Sequence, residues 1–92
     1  MPVVLLVDTP NMSAAQFDAV IADIGPELPA GCQTRIAGPS PDGTSWRVVS
    51  VWEDMATGQA FVAGTLRPAQ DRAGIPAGMP SIQSWELHDL AT

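Results

Sequence analysis

The sequence predicts an α+β fold whose elements follow the order strand, helix, strand, strand, helix, strand. Three patterns lead to this order. The apolar run VVLLV occupies residues 3–7, an apolar stripe at helical spacing covers residues 17–24, and residues 46–54, WRVVSVWED, alternate as a strand does. Because strands repeat every two residues and helices about every 3.6, these patterns distinguish the two kinds of element.

Short local patterns define the first strand and the first helix. VVLLV is bounded by proline and turn-forming residues, which predicts a strand buried on both faces. Ser13 followed by Gln16 is a capping box, so the first helix should begin at about Ser13. Gly25, which precedes a proline, should end it.

The next two strands are expected to form a hairpin. Residues 32–37, CQTRIA, favour a strand, and the turn PDG at residues 41–43 separates them from the alternating third strand. Strands joined by a short turn pair antiparallel.

A second helix should follow Asp54 or Thr57, either of which could cap it. Pro68 is expected to kink or interrupt this helix, because proline lacks an N–H donor and clashes with the preceding turn. Residues 68–74, PAQDRAG, then favour a short turn closed by glycine. Residues 81–88, SIQSWELH, favour the last strand.

This order is that of the ferredoxin-like β-α-β-β-α-β fold, a four-stranded antiparallel sheet with both helices on one face. Residues 1–92 are expected to form one domain, because the chain is short and contains no repeat or low-complexity segment. The other sheet face is left bare. Since exposed apolar faces are unfavourable in water, we expect two copies to pack face to face as a dimeric α/β barrel.

Composition argues against several classes of partner. The net charge is −6, and the four basic residues are all arginine. This charge provides no basic patch, so neither nucleic acid nor an anionic membrane surface is expected as a partner. Cys32 is the single cysteine and cannot form an internal disulfide. The N-terminal apolar run is too short for a signal peptide or a membrane span, so a cytoplasmic location is expected.

One segment resembles a known superfamily. Residues 46–76 contain Trp-x5-Trp-Glu, a phenylalanine on the following helix, Leu-Arg-Pro and Ala-Gly-Ile-Pro, and residues 85–90 read WELHDL. These features resemble the dimeric α/β-barrel proteins, which include the antibiotic-biosynthesis monooxygenase domain. The resemblance implies the same fold and a homodimer. It does not select a reaction, because the superfamily includes cofactor-free monooxygenases, polyketide cyclases, lactone isomerases, haem-degrading enzymes and proteins of no known activity.

The third strand offers a candidate ligand surface. Trp46, Ser50 and Trp52 share one face, and we expect this face to lie inside the barrel because the valines on the other face suit packing under helices. Trp46, Trp52, Trp85 and Phe61 would then form an apolar, π-rich pocket for a small apolar or aromatic ligand. The alternative is that Trp46 and Trp52 are ordinary dimer core.

Three polar residues are candidates for catalysis. His88, the single histidine, could take or give a proton, and Ser50 could orient or shuttle it. Arg47 could stabilise a developing oxyanion. The alternatives are that His88 is a surface histidine on an edge strand and that Arg47 forms an ordinary surface ion pair.

The sequence suggests no cofactor and no metal. It has neither a glycine-rich nucleotide loop nor a pair of histidines, and tyrosine is absent, which excludes a mechanism that needs a phenol side chain. The haem-degrading relatives rely on a histidine on the second helix, and this chain has none there.

Two hypotheses follow. The first is a small cofactor-independent enzyme of secondary metabolism that acts on an aromatic or polycyclic, polyketide-like intermediate, as a monooxygenase or a cyclase. The second is a non-catalytic homodimer of the same fold that binds a ligand or fills its barrel with side chains. A catalytic barrel needs a cavity of about a few hundred Å³ with converging polar groups, whereas a structural one is packed solid.

Overall fold

The chain follows the predicted order of elements. The computed structural model describes residues 1–76 and 78–91. The second helical region consists of two α-helices joined by a π-helical turn. The elements are β1 (Val3–Pro10), α1 (Ala14–Ile24), β2 (Cys32–Pro39), β3 (Ser45–Trp52), α2 (Met55–Phe61), the π-helical turn (Val62–Leu66), α3 (Arg67–Arg72) and β4 (Ser81–Glu86).

The four strands form one sheet in the order β2-β3-β1-β4, and every neighbouring pair is antiparallel. The sheet therefore confirms the predicted ferredoxin-like arrangement. The apolar run of β1 lies at the centre, where Val3, Val4 and Leu5 are all buried. β1 is flanked by β3 and β4, and residues on both of its faces, Leu5 and Val4, are buried.

Helix α1 begins and ends where its local signals predict. The Ser13 hydroxyl accepts a hydrogen bond from the Gln16 N–H at 3.1 Å, and the Gln16 side chain accepts one from the Ser13 N–H at 3.0 Å. The helix ends before Gly25, which has a positive φ of 97°. This reciprocal capping satisfies two donors that the first helical turn would otherwise leave free.

The regular α-helix is interrupted directly before Pro68, as predicted, but the chain stays helical beyond it. Asp54 caps α2 by accepting a hydrogen bond from the Thr57 N–H at 2.7 Å. In the π-helical turn the Arg67 N–H donates to the Val62 carbonyl, five residues back. This wider turn places Pro68 at the second position of α3, where the first-turn N–H groups need no partner within the helix. Residues 67–72 are therefore helical rather than a turn, and Gly74 follows with a positive φ of 81°.

All helices pack on one face of the sheet, and this face carries Trp46 and Trp52. Val3, Leu5 and Trp52 form a core cluster with Val62 of the π-helical turn. The prediction that the tryptophan face of β3 lies on the uncovered side was therefore wrong. Packed layers lie about 10 Å apart, and large aromatic side chains fill that gap better than valines do. Trp52 is 2% exposed.

The opposite face of the sheet has no helix over it. Its centre is formed by Val4 and Leu6 of β1 with Val49 and Val51 of β3. The strands at the two edges add Ile36 and Trp85, with exposed fractions of 67% and 47%. No described helix covers this apolar face, although Val4 and Val51 are buried on it and Leu6 and Val49 are partly exposed. In the described part of the chain, no helix has the length and hydropathy that crossing a membrane requires.

Candidate functional site

A cavity of about 50 Å³ lies between the sheet and the helices. Its walls are mostly apolar and include side chains from α1, from β1 and β3, and from the second helical region. The aromatic members of the lining are Phe17, Trp52 and Phe61. Trp52 and Phe61 pack against each other with ring centroids 5.0 Å apart. The cavity is thus a small, mostly apolar space with room for a few water molecules.

Ser50 places a hydroxyl group in this apolar wall. It lies in β3 directly opposite Leu5 and is 8% exposed. The Trp52 indole N–H donates a hydrogen bond to the Ser50 Oγ at 2.8 Å. A hydroxyl has one proton to donate and two lone pairs to accept with. Because the indole occupies one lone pair, the Ser50 proton remains available for a group in the cavity.

Arg35 is a cation in the lining of the cavity. It lies in β2 directly opposite Ser50 and is partly buried. Among the described residues, no carboxylate oxygen lies within 4.0 Å of its guanidinium, whereas Arg47 and Arg72 each have an aspartate partner. A cation at the edge of an apolar space, without a carboxylate partner, favours binding of an anion.

Sequence reasoning considered Arg35 together with Arg47 as an arginine that could bind an oxyanion but selected Arg47, and a β-bulge explains why the position of Arg35 was not recognised. The pairing of β2 with β3 shifts between Cys32 and Thr34, so Gln33 is an extra residue. The bulge puts Cys32 and Arg35 on the same face although they are three residues apart. Strict alternation would have separated them, so the sequence pattern did not place Arg35 on the same face as Cys32.

Two further polar side chains in the lining were also missed. Thr9 and Gln70 are 2% and 6% exposed, and neither side chain makes a hydrogen bond with another described residue. Gln70 follows Val62, Leu66 and Ala69 on the same stripe of the second helical region. A polar residue at an apolar position of such a stripe was the available signal.

The predicted pocket residues divide between two sites. Trp52 and Phe61 line the cavity, and Trp46 packs against Phe17 of α1 with centroids 5.4 Å apart. The Trp46 indole nitrogen is buried and has no hydrogen-bond partner among the described residues. Trp85 lies on the opposite face of the sheet, opposite Val4. The three tryptophans therefore do not form one pocket, because the Trp85 side chain lies on the opposite face of the sheet from the other two.

The three predicted catalytic residues are not brought together within one chain. Ser50 lines the cavity. Arg47 lies on the uncovered face and pairs with Asp8 at 3.3 Å, which is the ion pair expected of a surface arginine. His88 follows the end of β4, is exposed, and does not line the cavity.

Cys32 is a poor nucleophile in this setting. Burial raises the pKa of its thiol, although the Thr34 backbone and the charge of Arg35 act in the opposite direction. The thiol is therefore neutral near pH 7. No three His, Cys, Asp or Glu side chains of residues 1–76 and 78–91 come together as a metal-binding group.

Comparisons with known proteins identify the fold. A candidate antibiotic biosynthesis monooxygenase from Chloroflexus aurantiacus superposes with a TM-score of 0.70 at 10% identity, over 100% of this chain and 98% of that one. The monooxygenase ActVA-Orf6 from Streptomyces coelicolor, solved with nanaomycin D, gives 0.61 at 22% identity, over 98% and 90%. SnoaB, a cofactor-independent oxygenase from Streptomyces nogalater, gives 0.61 at 16% identity, over 99% and 95%.

The sequence comparisons found less than the structural ones. No protein-family model and no curated protein matches the sequence. Identities of 10–22% support a common fold and leave the reaction open. The predicted resemblance is confirmed at that level: the chain has the ferredoxin-like fold of the antibiotic-biosynthesis-monooxygenase-like proteins.

Proposed function

We propose that this protein is a small cofactor-independent oxygenase that acts on an enolisable aromatic compound in the cavity between sheet and helices. The observation that carries this proposal is the pair Arg35 and Ser50, directly opposite each other on neighbouring strands and both in the wall of the cavity. Two proteins of similar fold, ActVA-Orf6 and SnoaB, are described as oxygenases.

Such a reaction places negative charge on an oxygen atom of the substrate. Loss of a proton to water, from carbon next to a carbonyl or conjugated with one through an aromatic ring as in anthrone, gives an enolate before the substrate enters the cavity, and the enolate carbon then reacts with dioxygen. The balanced change is R₂CH₂ + O₂ → R₂C=O + H₂O, and the substrate supplies all the electrons. Arg35 and Ser50 would donate hydrogen bonds to the enolate oxygen, which is the interaction that stabilises such charge in an apolar site.

His88 and Arg47 receive no role in the cavity of a single chain. Both lie outside its lining. A cyclase would form the same enolate and direct it to a carbonyl group of the same molecule instead of dioxygen. Oxygen uptake therefore separates the two reactions.

The size of the cavity favours a second candidate function, a non-catalytic protein. About 50 Å³ is less than the roughly 150 Å³ of an engineered cavity that binds benzene. Any aromatic ligand, benzoate included, would need the walls to move outward, and a polycyclic substrate would need them to move farther. If they do not, the fold is a packed structural module.

Oxygen consumption tests the proposal. The enolisable ketones 2-indanone and anthrone, one bicyclic and one tricyclic, would be added to the protein in an oxygen electrode, with the protein-free rate subtracted. We expect uptake of one O₂ per ketone formed. Ser50→Ala should lower this rate by about 10²-fold, because it removes a donor to the oxyanion.

Thr65→Ala provides the matched control. Thr65 is exposed in the π-helical turn and does not line the cavity, so this variant should keep the wild-type rate. Circular dichroism checks that both variants fold. If neither ketone is consumed faster than without protein, the oxygenase proposal fails and the non-catalytic alternative stands.

A further inference from the structure

The cavity has a cation in its wall and no side chain suited to removing a proton. Among the described residues that line it, the ionisable groups are Arg35 and Cys32. Burial raises the pKa of the Cys32 thiol, so this group is neutral near pH 7. The lining contains no aspartate, glutamate or histidine in the described part of the chain.

An anionic ligand suits this arrangement better than a neutral one. A guanidinium that loses water on ligand binding needs a new hydrogen-bond acceptor, and a charged oxygen is the strongest available. A neutral ligand would desolvate Arg35 without replacing its lost interactions. A ligand that arrives ionised also removes the need for a base in the cavity.

We infer that Arg35 determines ligand specificity by selecting compounds that enter the cavity as anions. The ligand class is an aromatic ring that carries an ionised phenol, enol or carboxyl oxygen. The oxygen would accept hydrogen bonds from Arg35 and from the Ser50 hydroxyl, and the ring would contact Trp52 and Phe61. This specificity rests on the proposed function to the extent that the same cavity is the substrate site.

The preference for anionic ligands has to come from the cavity itself, because the chain as a whole is negatively charged. At a net charge of −6, the protein as a whole repels anions. Binding of an anion must then come from the cation at the site. The long-range repulsion is screened by salt, whereas contact with a partly buried arginine is screened less.

A pair of ligands with the same shape tests this inference. Benzoate and benzamide differ in charge and little in size, and the tryptophan fluorescence of the protein reports their binding. For the wild-type chain we expect a Kd for benzoate at least tenfold lower than for benzamide. Arg35→Gln should abolish this difference, and Arg35→Lys should keep part of it, because lysine retains the charge without the planar donor group.

Arg67→Gln is the matched control, because it removes one positive charge outside the cavity. Arg67 is exposed at the start of α3. This variant should keep the wild-type preference. Benzamide binding as tightly as benzoate, no measurable benzoate binding, or an anion preference that survives in Arg35→Gln would each overturn the inference.

The two proposals fail in different experiments. An anion preference that depends on Arg35, without oxygen uptake from either ketone, removes the oxygenase and keeps Arg35 as a ligand-selecting residue. Oxygen uptake without an Arg35-dependent anion preference keeps the oxygenase and removes Arg35 as a ligand-selecting residue.

Discussion

At the scale of single residues, Asp42 in the β2–β3 connection shows how local hydrogen bonds act on one charge. Its Oδ1 accepts hydrogen bonds from the Ser40 hydroxyl at 2.7 Å, the Thr44 N–H at 3.0 Å and the Thr44 hydroxyl at 2.8 Å. The bond from Ser40 contributes most, and together they lower the pKa of Asp42 to about 2 from its ordinary 3.8. The ionised carboxylate therefore holds the hairpin loop together.

Asp42→Ala should destabilise the protein near neutral pH and not in strong acid. The pKa of Asp42 is lower in the folded chain than in the unfolded one, so its contribution is complete above about pH 4. It is lost as the pH falls through about 2. Urea unfolding of both proteins between pH 2 and pH 6 measures the difference.

Asp18→Ala is the control for this prediction. Asp18 is exposed on α1 and makes no hydrogen bond with the described residues. Its removal should leave the shape of the pH profile unchanged. A stability difference for Asp42→Ala that stayed constant down to pH 2 would contradict the assignment.

At the scale of elements, the second helical region contains two glycines with opposite surroundings. A Cβ atom at Gly58 would lie 3.0 Å from the Leu5 Cδ1 and 3.2 Å from the Trp52 Cγ. Gly58 therefore lets α2 approach the sheet over the indole ring. At Gly64, in the π-helical turn, a Cβ would meet no atom within 4 Å.

Alanine at these two positions should have opposite effects. Gly58→Ala forces α2 away from Trp52 and should lower the free energy of unfolding by about 1–2 kcal/mol. Gly64→Ala should raise it by about 0.5 kcal/mol, because alanine loses less backbone entropy on folding. Urea or thermal unfolding of the two variants measures both values. Equal effects of the same sign would show that contact with Trp52 does not limit the position of α2.

At the scale of the whole molecule, the uncovered sheet face determines how the chain behaves in solution. Its central residues are apolar, and Ile36 and Trp85 extend the apolar surface to both edges. We propose that a second copy covers this face through a two-fold axis, because one self-complementary apolar patch satisfies both copies. The faces that carry the helices would then point away from each other.

The purified protein should therefore have about twice the 9.6 kDa mass of one chain in sedimentation at micromolar concentration. Ile36→Glu should shift it toward the monomer, because the dimer would bury an unpaired carboxylate. Ala22→Glu is the control, since Ala22 is exposed on α1, on the other side of the sheet. A wild-type mass of 9.6 kDa under these conditions would refute the dimer.

The sequence by itself determined every element except α3, because their signals act within a few residues. The capping box at Ser13, the apolar strand at residues 3–7 and the Asp54 cap of α2 are all local patterns. The alternation in β3 also placed Trp46, Ser50 and Trp52 on one face. Antiparallel pairing and the order of elements then gave the fold.

Only the tertiary structure decided which face of the sheet the helices cover and where the candidate site lies. Alternation assigns residues to faces but leaves the two faces equivalent until helices pack on one of them. That packing places Trp52 in the core and Trp85 on the opposite side. The structure also contains a bulge at Gln33 and a π-helical turn before Pro68, and Arg35 and Gln70, which follow them, lie in the cavity wall. Each is a one-residue shift in hydrogen bonding that the local pattern of the sequence does not encode.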